Sequence, residues 1–93
     1  MTNRRVVLGA TGTGEALPSL ARMLRDTGHE VVLVGGEQSA EQLVLTALAE
    51  DAAELVVVGG DEDLSRVDAV RLALGAADIT LTAGADLIGK PRV

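Results

Sequence analysis

The sequence contains no cysteine and no phenylalanine, tyrosine or tryptophan. Without cysteine there is no disulfide, no thiolate nucleophile and no zinc–thiolate site. Without aromatic rings the chain has nothing to stack on a flavin, a nucleobase or a single-stranded nucleic acid. Basic residues are scarce, 8 Lys and Arg against 14 Asp and Glu, for a formal net charge of −6. That balance repels a phosphate backbone and argues against nucleic-acid binding through a basic surface. The arginines (Arg4, Arg5, Arg22, Arg25, Arg66, Arg71, Arg92) are dispersed, as on solvated helix faces and chain ends. Apolar runs are only a few residues long, far short of the ~20 needed to cross a bilayer. No signal-peptide-length hydrophobic segment follows Met1 to Arg5. The expectation is a cytoplasmic protein with neither nucleic acid nor membrane as partner.

What is present is aliphatic. Apolar residues make up 47% of the 93 positions, which suits one globular domain over residues 1–93. This length is near the lower limit for an adequate core without staples. Ala, Val, Leu and Ile, with two Met, must fill it.

The pattern alternates short β-rich runs with helical periods. Val6-Val7-Leu8 is a strand ended by Gly9-Ala10-Thr11-Gly12-Thr13-Gly14. Leu17, Leu20, Ala21 and Leu24 then mark one apolar helix face. Pro18 is tolerated there in the first turn, and Gly28 stands where a left-handed residue closes a helix. Val31-Val32-Leu33-Val34 reads as a strand covered on both faces. Ser39 and Gln42 fit a capping box opening a helix that buries Leu43, Ala47 and Leu48, with Val44 on its flank. Leu55-Val56-Val57-Val58 is a third buried strand, closed by Gly59-Gly60. Acids Asp61-Glu62-Asp63 lead to a helix from about Ser65, with Val67, Val70, Leu74 and Leu64 inward and Gly75 at its end. Ile79-Thr80-Leu81-Thr82-Ala83, more polar, reads as a fourth strand near an edge. Helical crossovers imply parallel strands with right-handed connections. The expected fold is three-layer, flavodoxin-like α/β with strand order 2-1-3-4, lacking the last helix and strand.

Several stretches resemble the cobalamin-binding domain of adenosylcobalamin-dependent carbon-skeleton mutases. They are Asp26-Thr27-Gly28-His29-Glu30-Val31, Gln38-Ser39-Ala40-Glu41-Gln42-Leu43 with Ala47 to Asp51, and Leu74-Gly75-Ala76-Ala77-Asp78-Ile79. The resemblance implies a cobalamin module, but the family's Asp-x-His-x-x-Gly loop is absent. Gly14 stands in the place of its Asp, Ala16 in that of the cobalt-ligating His, and Ser19 in that of its Gly. The family's Ser pair after the third strand is here Gly59-Gly60, and its glycine pair after the fourth is half kept as Ala83-Gly84. The chain's single histidine, His29, falls at the amino end of the second strand, opposite the ligand edge, and reads as a solvent-exposed turn residue.

Val7-Leu8-Gly9-Ala10-Thr11-Gly12 also resembles the opening of NAD(P)-binding extended short-chain dehydrogenases. There glycines let a pyrophosphate approach a helix N-terminus. Here the third glycine comes one residue early, at Gly14. Glu15 takes its place, a carboxylate in the first helical turn that would repel a pyrophosphate. Glu37 falls near the position of a ribose-binding acid, but no Tyr-x-x-x-Lys pair is present. Equally, Gly9, Gly12 and Gly14 serve a tight strand-to-helix turn, and Thr13 is a candidate helix cap.

Other chemistry finds little support. Asp61, Glu62 and Asp63 are candidate magnesium ligands, though acids before a helix also complement its dipole. A phosphorylated receiver needs acids where this chain has glycine, leaving Lys90 without a partner. Ser19, Ser39 and Ser65 have no neighbouring base.

The reading is a degenerate cobalamin-binding-like module without catalysis of its own. It acts through association with itself or a mutase-like partner along the edge strand Ile79 to Ala83, where a missing helix leaves apolar surface exposed. The alternatives are a cobalamin binder without histidine ligation, whose ligand sits over Gly12, Thr13, Gly14, Gly59, Gly60 and Gly84, and a minimal NAD(P)-binding protein.

Overall fold

The computed structural model describes residues 4–88; Lys90 and Arg92 lie outside them. The elements are β1 (Arg5–Ala10), α1 (Leu17–Asp26), β2 (Glu30–Gly35), α2 (Ala40–Ala49), β3 (Glu54–Val58), α3 (Asp61–Ala73), β4 (Thr80–Ala83) and the one-turn α4 (Gly84–Leu87). The four strands form one parallel sheet in the order β2-β1-β3-β4. This is the flavodoxin-like arrangement the pattern predicts. No helix of the described residues is long and apolar enough to cross a membrane.

Strand alternation sorts the core into two layers. Val6, Leu8, Ala10 and Val56 face α1, meeting its buried stripe of Leu17, Leu20, Ala21 and Leu24. Val7, Leu55 and Val57 face the opposite side, where α2 supplies Leu43, Val44 and Ala47 and α3 supplies Val67. The two central strands, β1 and β3, are buried almost throughout.

Local signals account for most element ends. Pro18 sits in the first turn of α1, and Gly28 follows that helix with φ +93°. Ser39 accepts from the Gln42 N–H at 3.0 Å while the Gln42 side chain accepts from the Ser39 N–H at 2.8 Å, completing the capping box of α2. Gly75, with φ +75°, follows α3.

Five expectations are corrected. Thr13 does not cap α1, whose N-cap is Ala16 without any side-chain bond. Val31 to Val34 are only partly covered: β2 is an edge strand, with Val31 packing on the α1 layer, Val32 and Val34 on the opposite one, and Leu33 44% exposed. In α2 the roles of two residues exchange, with Val44 fully buried and Leu48 exposed. α3 starts at Asp61 rather than near Ser65, because Gly60 takes the N-cap and three acids fit the positive end of the helix dipole. Leu74 lies past that helix and is exposed.

The fourth strand lies at the sheet edge, as its polarity suggests, but begins at Thr80, with Ile79 buried ahead of it. The chain then turns into α4, whose Leu87 packs on the α1 layer. Beyond α1, that face of β3 and β4 is not the apolar surface expected. Thr82 Oγ1 donates to Glu54 Oε2 at 2.5 Å, and Arg4 approaches Glu54 at 4.0 Å. Since Leu55 and Leu81 pack in the opposite layer, alternation puts Glu54, Thr80 and Thr82 on the α1 face.

Candidate functional site

In an open α/β sheet the ligand crevice lies beyond the strands' carboxyl ends, where the strand order reverses. Here that point falls between β1 and β3. The connection after β1 contains Thr11 to Ala16, and the one after β3 is only Gly59-Gly60. The loop after β2, Gly36 to Ser39, stands beside them.

The three connections bind one another. Thr11 N–H donates to the Val58 carbonyl at 3.1 Å, and its hydroxyl donates to Asp63 Oδ2 at 2.9 Å. Glu37 N–H donates to the Gly12 carbonyl at 2.7 Å, and Gln38 N–H to that of Ala10 at 2.9 Å. A Cβ on Gly36 would lie 2.8 Å from Gly12 O and 2.8 Å from Gly14 N, and one on Gly59 would lie 2.5 Å from the Thr11 hydroxyl. Gly36 and Gly59 therefore serve loop-to-loop packing.

The six candidate residues share the sheet edge but not one surface. Gly12, Thr13 and Gly60 are exposed, and Gly14 and Gly59 are half-buried. Gly84 is buried at the start of α4, where a Cβ would lie 2.7 Å from Val58 Cγ2 and 3.3 Å from Leu20 Cδ1.

The glycine turn does not deliver a helix N-terminus in the dinucleotide manner. α1 begins at Leu17, three residues past Gly14, and its first turn contains no acid. Glu15 thus lies before the helix instead of in its first turn, exposed. Glu37, the candidate ribose acid, is exposed with φ +57°.

Nor do the residues fit a histidine-ligated corrin. Gly14, Ala16 and Ser19 offer no nitrogen side chain. His29 directly precedes β2, half-buried, with its N–H on the Leu24 carbonyl at 3.1 Å, at the end of the sheet remote from the loops. Asp61, Glu62 and Asp63 lie in the first turn of α3. Among the described residues no group of three or more His, Cys, Asp or Glu is placed to hold a metal ion.

Two clefts flank the switch point. One, of about 280 Å³ and mainly apolar, lies between α1 and α4 against Ala16, Ser19, Leu20, Met23 and Ile88. The other, of about 230 Å³ and polar, lies at the amino ends of α2 and α3 against Thr11, Gln38, Ser39, Glu41, Asp63 and Arg66. Sequence reasoning placed none of these residues in a common cleft. The available signal was position alone, since all but Ile88 lie just past a strand end or in the first turns of a helix.

No protein-family model matches this chain, and no curated protein is similar to it.

Proposed function

We propose that this chain is a non-catalytic module, a degenerate relative of the cobalamin-binding domain that works by association with itself or with a mutase-like partner. The observation that supports this most is the self-sealed switch point. The bonds from Thr11 to Asp63 and Val58, and from Glu37 and Gln38 to Gly12 and Ala10, tie the loops to one another and occupy the Thr11 hydroxyl and the Ala10 and Gly12 carbonyls. The exposed edge strands, β4 with its Thr80 to Ala83 segment among them, supply the surface for association.

Titration with hydroxocobalamin, adenosylcobalamin and NAD(P)H tests the reading. The absence of Tyr and Trp leaves a low near-ultraviolet background. The expected result is no change in the chromophore spectra and no shift in melting temperature with any of the three. A corrinoid spectral change that saturates with the chain would overturn the reading.

That outcome would favour the second reading, a cobalamin binder without histidine ligation. The observation behind it is the apolar cleft of about 280 Å³ between α1 and α4, bordered by Leu20, which Gly84 packs against.

A further inference from the structure

The outer edge of β2 names a partner for the association reading, on which this inference rests. We propose that a second copy of this chain pairs antiparallel with the segment Glu30 to Leu33. The Glu30 N–H donates to the Arg4 carbonyl at 2.9 Å. In a parallel ladder alternate residues turn their main-chain groups to opposite neighbours. Glu30 and Val32 therefore bond to β1, while the N–H and C=O groups of Val31 and Leu33 point out of the sheet at its free edge.

Such an edge is normally blunted by lysine, proline, an inward charge, a bulge or shortness. Over Val31 to Leu33 the first four are absent, and Leu33 is 44% exposed. The irregularity in β2 comes only afterwards, where Gly9 pairs with Gly35 and skips Val34. The other edge is blunted. β4 is four residues long, two of them Thr, and Ala83 already serves as the N-cap of α4.

Outward main-chain donors and acceptors call for a strand as occupant. A second copy of this strand is complementary to it. With Val32 on a two-fold axis, Val31 faces Leu33 of the second copy, and every outward N–H meets an outward C=O. Both side chains of that pair lie on the α1 face, so apolar meets apolar. Glu30 falls opposite Val34, and its carboxylate is already held by Arg5 Nη2 at 3.3 Å. A two-fold pairing of this kind closes as a dimer and cannot propagate as a fibre.

Light scattering combined with amide exchange by nuclear magnetic resonance, from dilute to millimolar protein, tests the proposal. The mass rises to a dimer, and exchange at the Val31 and Leu33 amides slows about tenfold or more with concentration, as pairing removes them from solvent. Leu33→Lys returns the chain to a monomer and those amides to fast exchange. A monomer at every concentration overturns the proposal. So does a dimer in which Leu81 and Ala83 slow instead, because the Thr80 N–H already bonds Ala53 and those two amides face out of the β4 edge. That last outcome keeps association and moves it to β4, whereas a corrinoid spectral change removes the association reading itself.

Discussion

Glycine at two positions in the loops does opposite things. At Gly12 an added Cβ meets nothing within 4 Å, although this residue is the centre of the dinucleotide-like word. At Gly36 the Cβ would strike the backbone of Gly12 and Gly14 at 2.8 Å, and backbone cannot move aside as a side-chain tip can. Gly36→Ala is therefore expected to destabilise the fold by about 1–3 kcal/mol through overpacking. Gly12→Ala should stay within about 0.5 kcal/mol of the parent. Urea unfolding followed by far-ultraviolet circular dichroism measures both, as there is no tryptophan to follow. Thr11 offers a second check: Thr11→Val removes the hydroxyl from Asp63 and should cost about 1 kcal/mol. The sequence marks which residues stand near the switch point, because strand ends and glycines are visible in it. It does not mark which glycine yields space to a ligand and which to a neighbouring loop, because that depends on the path of a segment more than twenty residues away.

Among the elements, those with chemistry at their ends were legible and those defined by their neighbours were not. The Ser39–Gln42 box starts α2 where the letters place it, since both bonds are local. Ser39→Ala should cost about 1 kcal/mol, the usual loss of an N-cap, seen as a lower urea midpoint with unchanged slope. α1 shows the contrast. Its start has no side-chain cap, so it rests on Pro18 and on the burial of Leu17, Leu20, Ala21 and Leu24. The strands divide in the same way. β1, β2 and β3 are alike in composition, and continuous Val and Leu runs read as buried in all three. Only topology separates them, since β1 and β3 have a strand on either side while β2 is at the sheet edge and is only partly buried. α3 begins earlier than its apolar period because acids and a glycine, not hydrophobic residues, build its first turn.

At the scale of the whole molecule the absence of aromatics does not prevent closure. The radius of gyration is 12.3 Å, about the 12 Å of a compact domain of this length. Beyond α1, the same face of the sheet is polar. The α1 face of β3 and β4 displays Glu54, Thr80 and Thr82, tied by the Thr82–Glu54 bond and approached by Arg4. Glu54 is 13% exposed at its side chain, and those two partners offset part of its cost of burial. A surface of this kind has no driving force to meet an apolar one, which directs association to the edges of the sheet. Removing the polarity should reverse that. Glu54→Leu combined with Thr80→Val and Thr82→Val turns this area into a contiguous apolar patch, the kind that draws proteins together. The triple variant should form larger assemblies by light scattering at concentrations where the parent gives at most a dimer, and should bind more of a dye that reports exposed apolar surface. If its mass and dye binding match the parent, this face is covered in the parent as well, and the polar groups there serve a contact instead of solvent.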